Sequence, residues 1–110
     1  MYLSDYQHGA RKYSKYPGKG EFTGLAYAAL GLNGEAGEVA EKIKKLWRDN
    51  GELNDKTRLA ITKELGDVLW YLAAVADEVG VSLSVVAALN LEKLESRTKR
   101  DVLSGSGDDR

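Results

Sequence analysis

Apolar residues recur along the chain at spacings of three and four, the period of a helix with one face against a core. Leu32, Val39, Ile43 and Leu46 form one such stripe, and Ile61, Val68, Leu72 and Val75 form another. No stretch alternates with the period of two that a half-buried strand requires. The pattern therefore predicts an all-α chain, a four-helix bundle protomer. Ser4 and Asp5 are the capping residues for a first helix running to about Ser14, and Lys15-Tyr-Pro-Gly-Lys-Gly20, which holds the only proline, breaks it. Thr23 opens a long second helix that stops at Asn50-Gly51. Asp55 or Thr57 starts a third, ending at Gly80, and Ser82 caps a fourth that extends to about Asp101. Gly31, Gly34 and Gly37 each weaken the second helix by about 1 kcal/mol relative to Ala, so they predict a close approach or a kink. Residues 1–101 read as a single domain, and the Ser/Gly-rich tail 102–110 as disordered.

The third helix is apolar almost all round from Val68 to Val79, because Leu69, Trp70 and Ala74 lie away from the stripe that holds Val68, Leu72 and Val75. Three other helices are too few to cover it, which predicts a homo-oligomer with Trp70 and Ala74 at the interface. Composition narrows the rest. With 43% hydrophobic and 30% charged residues and a net charge of −1, the chain has ordinary globular balance and no general attraction to nucleic acid or an anionic membrane. It has no cysteine, hence neither disulfides nor thiolate metal sites. No N-terminal signal pattern and no bilayer-length apolar run is present, so the reading is a soluble, cytoplasmic chain without nucleic-acid or membrane partners.

The chemistry sits where acids meet the apolar stripes. Glu35-Ala-Gly-Glu38 and Glu64-Leu-Gly-Asp67 have identical spacing, and in each helix the pair borders the core face, whereas Glu41, Lys44 and Arg48 oppose it. One such pair is commonplace on a solvated face. Two, both beside Val, Ile and Leu, would cost several kcal/mol per ion if buried unpaired. A shared cation removes that cost. Oxygen donors with vacant positions suit Mg²⁺, with Mn²⁺ as a substitute, so Glu35, Glu38, Glu64 and Asp67 are the candidate metal ligands. Such a site can polarise bridged phosphates and orient a water for in-line attack, and Glu38 is the candidate to accept that water's proton. A di-iron carboxylate bundle would need Glu-x-x-His pairs on two helices, which a chain with one histidine cannot supply.

Gly34-Glu-Ala-Gly-Glu-Val-Ala-Glu-Lys-Ile-Lys-Lys45, then Lys63-Glu-Leu-Gly-Asp-Val-Leu-Trp-Tyr-Leu72, then Asn90-Leu-Glu-Lys-Leu-Glu-Ser-Arg97 together resemble the MazG-like, all-α nucleoside triphosphate pyrophosphohydrolases. The resemblance spans about residues 5 to 100. It implies a homodimer or dimer of dimers that uses Mg²⁺ to cleave a nucleoside triphosphate into the monophosphate and pyrophosphate. Dimeric dUTPases and phosphoribosyl-ATP pyrophosphohydrolases have a similar carboxylate arrangement, so a narrower substrate of either kind stays open. So does a non-catalytic helical oligomerisation or regulatory module.

A triphosphate tail also needs cations. Asn90, Lys93 and Arg97 share a face of the fourth helix beside Leu94, match the family's N-x-x-K-L pattern, and are candidates to hold phosphate oxygens. The alternative is a solvated helix rim. Lys42 lies on the acidic side of the second helix, either as a phosphate contact or as a charge that balances the acids. Gln7 and Tyr71 are the candidates for base or sugar contact, while Trp70 reads as core.

Overall fold

The computed structural model describes residues 1–100 and 107–108; the remainder of the expected disordered tail lies outside the described residues. Four helices run in the order α1 (Leu3–Arg11), α2 (Phe22–Arg48), α3 (Asp55–Glu78) and α4 (Leu83–Lys99), with no strand among the described residues. The all-α, four-helix expectation holds.

The helix ends follow from local chemistry. Asn50 takes a left-handed φ of 54° and the Gly51 amide donates to the Leu46 carbonyl at 2.7 Å, closing α2. Gly80, at φ 76°, does the same for α3, with the Val81 amide bonded to the Ala76 carbonyl at 2.9 Å. Asn54 rather than Asp55 or Thr57 caps α3: its side chain accepts from the Thr57 amide while Thr57 Oγ1 accepts from the Asn54 amide. Ser82 caps α4 as expected, accepting from the Val85 amide. Ser4 and Asp5 are not caps. Tyr2 precedes α1, and Asp5 sits inside the first turn, where its carboxylate accepts from the Tyr2 amide at 3.1 Å.

α2 and α3 form an antiparallel hairpin, and α1 packs on α3 and α4; α4 does not pack on α2. The chain bends by 98° between α3 and α4. This opens the protomer, whose radius of gyration of 16.6 Å exceeds the roughly 13 Å of a compact chain this long. Gln7 fixes the corner. Its amide donates to Asp77 Oδ1 at 2.8 Å and to the Val81 carbonyl at 3.0 Å, and its oxygen accepts from the Leu83 amide at 2.8 Å.

Among the described residues the buried apolar set is Ala10, Ala28, Ala73, Ala74, Ala76 and Leu83. Trp70 is half-buried against Tyr16, and Ala74 is covered within the protomer. Of the two expected interface positions on α3, Ala74 is thus internal and Trp70 keeps part of its surface. α3 exposes Leu59, Leu65 and Leu72, and Val79 just past its end is exposed too, so that Leu65, Leu72 and Val79 are spaced by seven. No single helix is long and apolar enough to cross a membrane among the described residues.

Candidate metal centre

Glu35 from α2 and Glu64 and Asp67 from α3 each bring a carboxylate oxygen within 4.8 Å of the other two. The hairpin makes this possible, because antiparallel helices place Glu35 opposite the Glu64-x-x-Asp67 turn. Glu35 and Glu64 are half-buried and Asp67 is exposed. Glu38 stands outside this trio, exposed on the next turn of α2. Burial, followed by the charges of Asp67, Glu64 and Glu38, raises the Glu35 carboxyl above its ordinary value. Lys42 meets Glu64 at 3.4 Å, an ion pair at the edge of the acids.

The donor set fits a hard divalent cation. Ligands about 2.0–2.1 Å from Mg²⁺ stand about 3 Å apart when adjacent and about 4 Å apart when opposite, and the three carboxylates offer oxygens that all lie within 4.8 Å of one another. One lysine against several acids leaves negative charge that a cation would offset.

The other expected site residues divide. Gln7 is buried and its amide bonds across the α1–α3–α4 corner, at the wall of a cleft it shares with Arg11 and Tyr16. Tyr71 lies beside the cluster: burial first, then Tyr27, Glu35 and Asp67, raise its hydroxyl. Its ring also meets Trp70 edge-on, centroids 5.0 Å apart. Asn90 is exposed on α4. Lys93 pairs with Asp108 at 3.0 Å, and Arg97, almost wholly buried, donates to the carbonyls of Gly107 at 3.2 Å and Asp108 at 2.8 Å. The two cations do converge on one acceptor group, here from the tail. Because α4 leaves α3 at a wide angle and does not pack on α2, the protomer does not join this face to the α2 carboxylates.

Tyr6 was not anticipated. Burial and the charge of Asp67 raise its hydroxyl, so α1 also reaches the edge of the cluster. A lone tyrosine in a short helix gives no sequence signal for this. Two clefts lie away from the acids. One of about 600 Å³ involves Arg11, Tyr16, Lys19 and Glu78. The other, of about 630 Å³ at the α2–α3 loop, involves Ile43, Trp47, Leu53 and Ile61.

"Gene 37 protein" of Mycobacterium phage L5 is 46% identical over 114 aligned positions, covering 100% of both chains; the name states no activity. No solved structure matches. The family model of the MazG nucleotide pyrophosphohydrolase domain matches residues 24–102, which takes in both acidic pairs and the Asn90–Arg97 face and leaves out α1. With the acids of two helices gathered at the hairpin and that match over most of its length, the chain belongs to the MazG nucleotide pyrophosphohydrolase family.

Proposed function

We propose that this chain is a Mg²⁺-dependent pyrophosphohydrolase that converts a nucleoside or deoxynucleoside triphosphate to the monophosphate and pyrophosphate. The observation that carries the reading is the convergence of Glu35, Glu64 and Asp67 within a MazG domain. Bound there, Mg²⁺ would neutralise phosphate oxygens and acidify a water. Glu35, Glu64 and Asp67 hold the ion, and Glu38, adjacent but outside the trio, takes the proton of the attacking water. The water oxygen bonds to the α-phosphorus as the bond to the bridging oxygen breaks, and the electron pair leaves with pyrophosphate. In the proposed oligomer, where a second copy brings this face to a carboxylate cluster, Lys93 and Arg97 would receive phosphate oxygens in place of Asp108, whose carboxylate and carbonyl already occupy them. Asn90 supports the same face, and Tyr71 borders the nucleoside.

The active form is a homo-oligomer. Leu30 is 73% exposed, Leu89 60% and Leu91 67%, and Leu65 and Leu72 of α3 and Val79 at its end are exposed as well. Apolar surface spread over three helices is what a second copy covers in an obligate assembly.

The test is a screen of canonical and modified ribo- and deoxyribonucleoside triphosphates with Mg²⁺, separating pyrophosphate from orthophosphate. Pyrophosphate with the monophosphate is expected. Orthophosphate with a diphosphate as first products would assign the wrong bond, and no turnover of any triphosphate would favour a non-catalytic module.

A further inference from the structure

Gly31 of α2 lies flat under the ring of Tyr71 of α3. A methyl group on Gly31 would collide with Tyr71 Cε1 and stand 2.5 Å from Cδ1 and Cζ, far inside van der Waals contact. The ring has little room to yield. Trp70 meets it edge-on, Tyr16 meets Trp70 edge-on with centroids 6.4 Å apart, and Tyr16 stacks on Tyr27 at 5.7 Å. Tyr16 is itself tethered, since its hydroxyl donates to Glu78 at 2.5 Å. By contrast a methyl on Gly34 or Gly37 would meet nothing within 4 Å, and one on Gly24 would meet the Gly18–Lys19 backbone, so of the α2 glycines Gly31 is the one whose close approach is to α3.

The position of this contact gives it meaning. Gly31 precedes Glu35 by one helical turn, and Tyr71 follows Asp67 by one turn. In an antiparallel pair both offsets run the same way, which puts the contact about 6 Å along the hairpin from the carboxylates. Helix separation one turn away cannot change without moving Glu35 relative to Glu64 and Asp67, because packed helices shift as rigid elements. Metal sites are sensitive to such shifts: loss of supporting groups that only orient the ligands typically costs 10–100-fold in affinity.

We propose that the Gly31–Tyr71 contact is a positioning device that sets the spacing of α2 and α3 at the carboxylate cluster and thereby its affinity for a divalent cation. This rests on the cluster being a metal site. Tyr71 acts here through its ring, independently of any contact its hydroxyl makes with a nucleotide.

The test is Mn²⁺ binding without nucleotide, followed by electron paramagnetic resonance, with circular dichroism to check folding. Gly31→Ala should weaken binding at least tenfold with helicity retained, although Ala is the better helix former. Tyr71→Phe, which keeps the ring, should bind within about twofold of the unsubstituted chain, and Tyr71→Ala should not. In the Tyr71→Ala background, adding Gly31→Ala should change affinity by less than twofold, since the obstructing ring is gone. Unchanged binding by Gly31→Ala, or an equal effect of it with and without the ring, overturns the proposal. So does equal loss in Tyr71→Phe and Tyr71→Ala, which stands as a test even if Gly31→Ala fails to fold. An unsubstituted chain that binds no Mn²⁺ would defeat the metal reading itself.

Discussion

With its carboxyl raised by burial and by Asp67, Glu64 and Glu38, Glu35 gives the metal-free protein a defined pH response. A carboxyl raised above its unfolded value contributes stability that is complete below the ordinary value of 4.5 and is lost as pH rises through the folded value. A cation needs the ionised form, so its stabilising effect grows over the same range. The thermal midpoint should therefore respond more to Mn²⁺ at pH 8 than at pH 5, and Glu35→Gln should remove much of that difference. Asp67→Asn should lower turnover by more than about 100-fold, the upper range for losing a mere supporting group, while the metal-free fold stays intact or gains stability as crowding of like charges is relieved. Near-normal turnover in Mg²⁺ would exclude Asp67 as an essential ligand. Both acidic pairs were visible in the sequence because the same i, i+3 spacing recurs beside an apolar stripe in two helices, although the burial inferred there holds only in part, for Glu35 and Glu64 and not for Glu38 and Asp67. That Glu38 stands apart from Glu35, Glu64 and Asp67 was not, since the angle between two helices decides which member of a pair faces across.

Element boundaries were legible too, through Asn50-Gly51, Gly80 and Ser82, each of which acts on its own turn. The corner between α3 and α4 was not. It depends on Gln7, which bonds to Asp77, Val81 and Leu83 from the far end of the sequence, and no local pattern reports such a partner. Gln7→Ala should destabilise the fold by about 1–3 kcal/mol, the cost of leaving buried polar groups unpaired, measured by urea unfolding. If Gln7 is structural only, discrimination among nucleotide bases should be unchanged at temperatures where the variant is folded; a switch in base preference would support the recognition role expected from the sequence. The same long-range packing explains why Trp70 and Ala74 are less exposed than the helix pattern predicts. Periodicity showed that the helix is apolar all round, but Tyr16, from the loop after α1, covers the Trp70 side.

Across the whole molecule, exposed apolar surface and activity should be linked. Leu72→Glu places a charge in the middle of the Leu65–Leu72–Val79 stripe and should shift light-scattering mass toward the monomer and lower turnover at micromolar protein, with recovery as concentration rises. A monomeric variant of full activity would show that one chain holds the complete site. The small internal core carries a kinetic consequence as well. Its only fully buried apolar residue larger than alanine, among those described, is Leu83, so on the proposed oligomeric reading much of the apolar burial waits for a second copy. Refolding from denaturant should then be second-order, its half-time shortening in proportion as the chain is made more concentrated, with collision rather than internal rearrangement as the slow event.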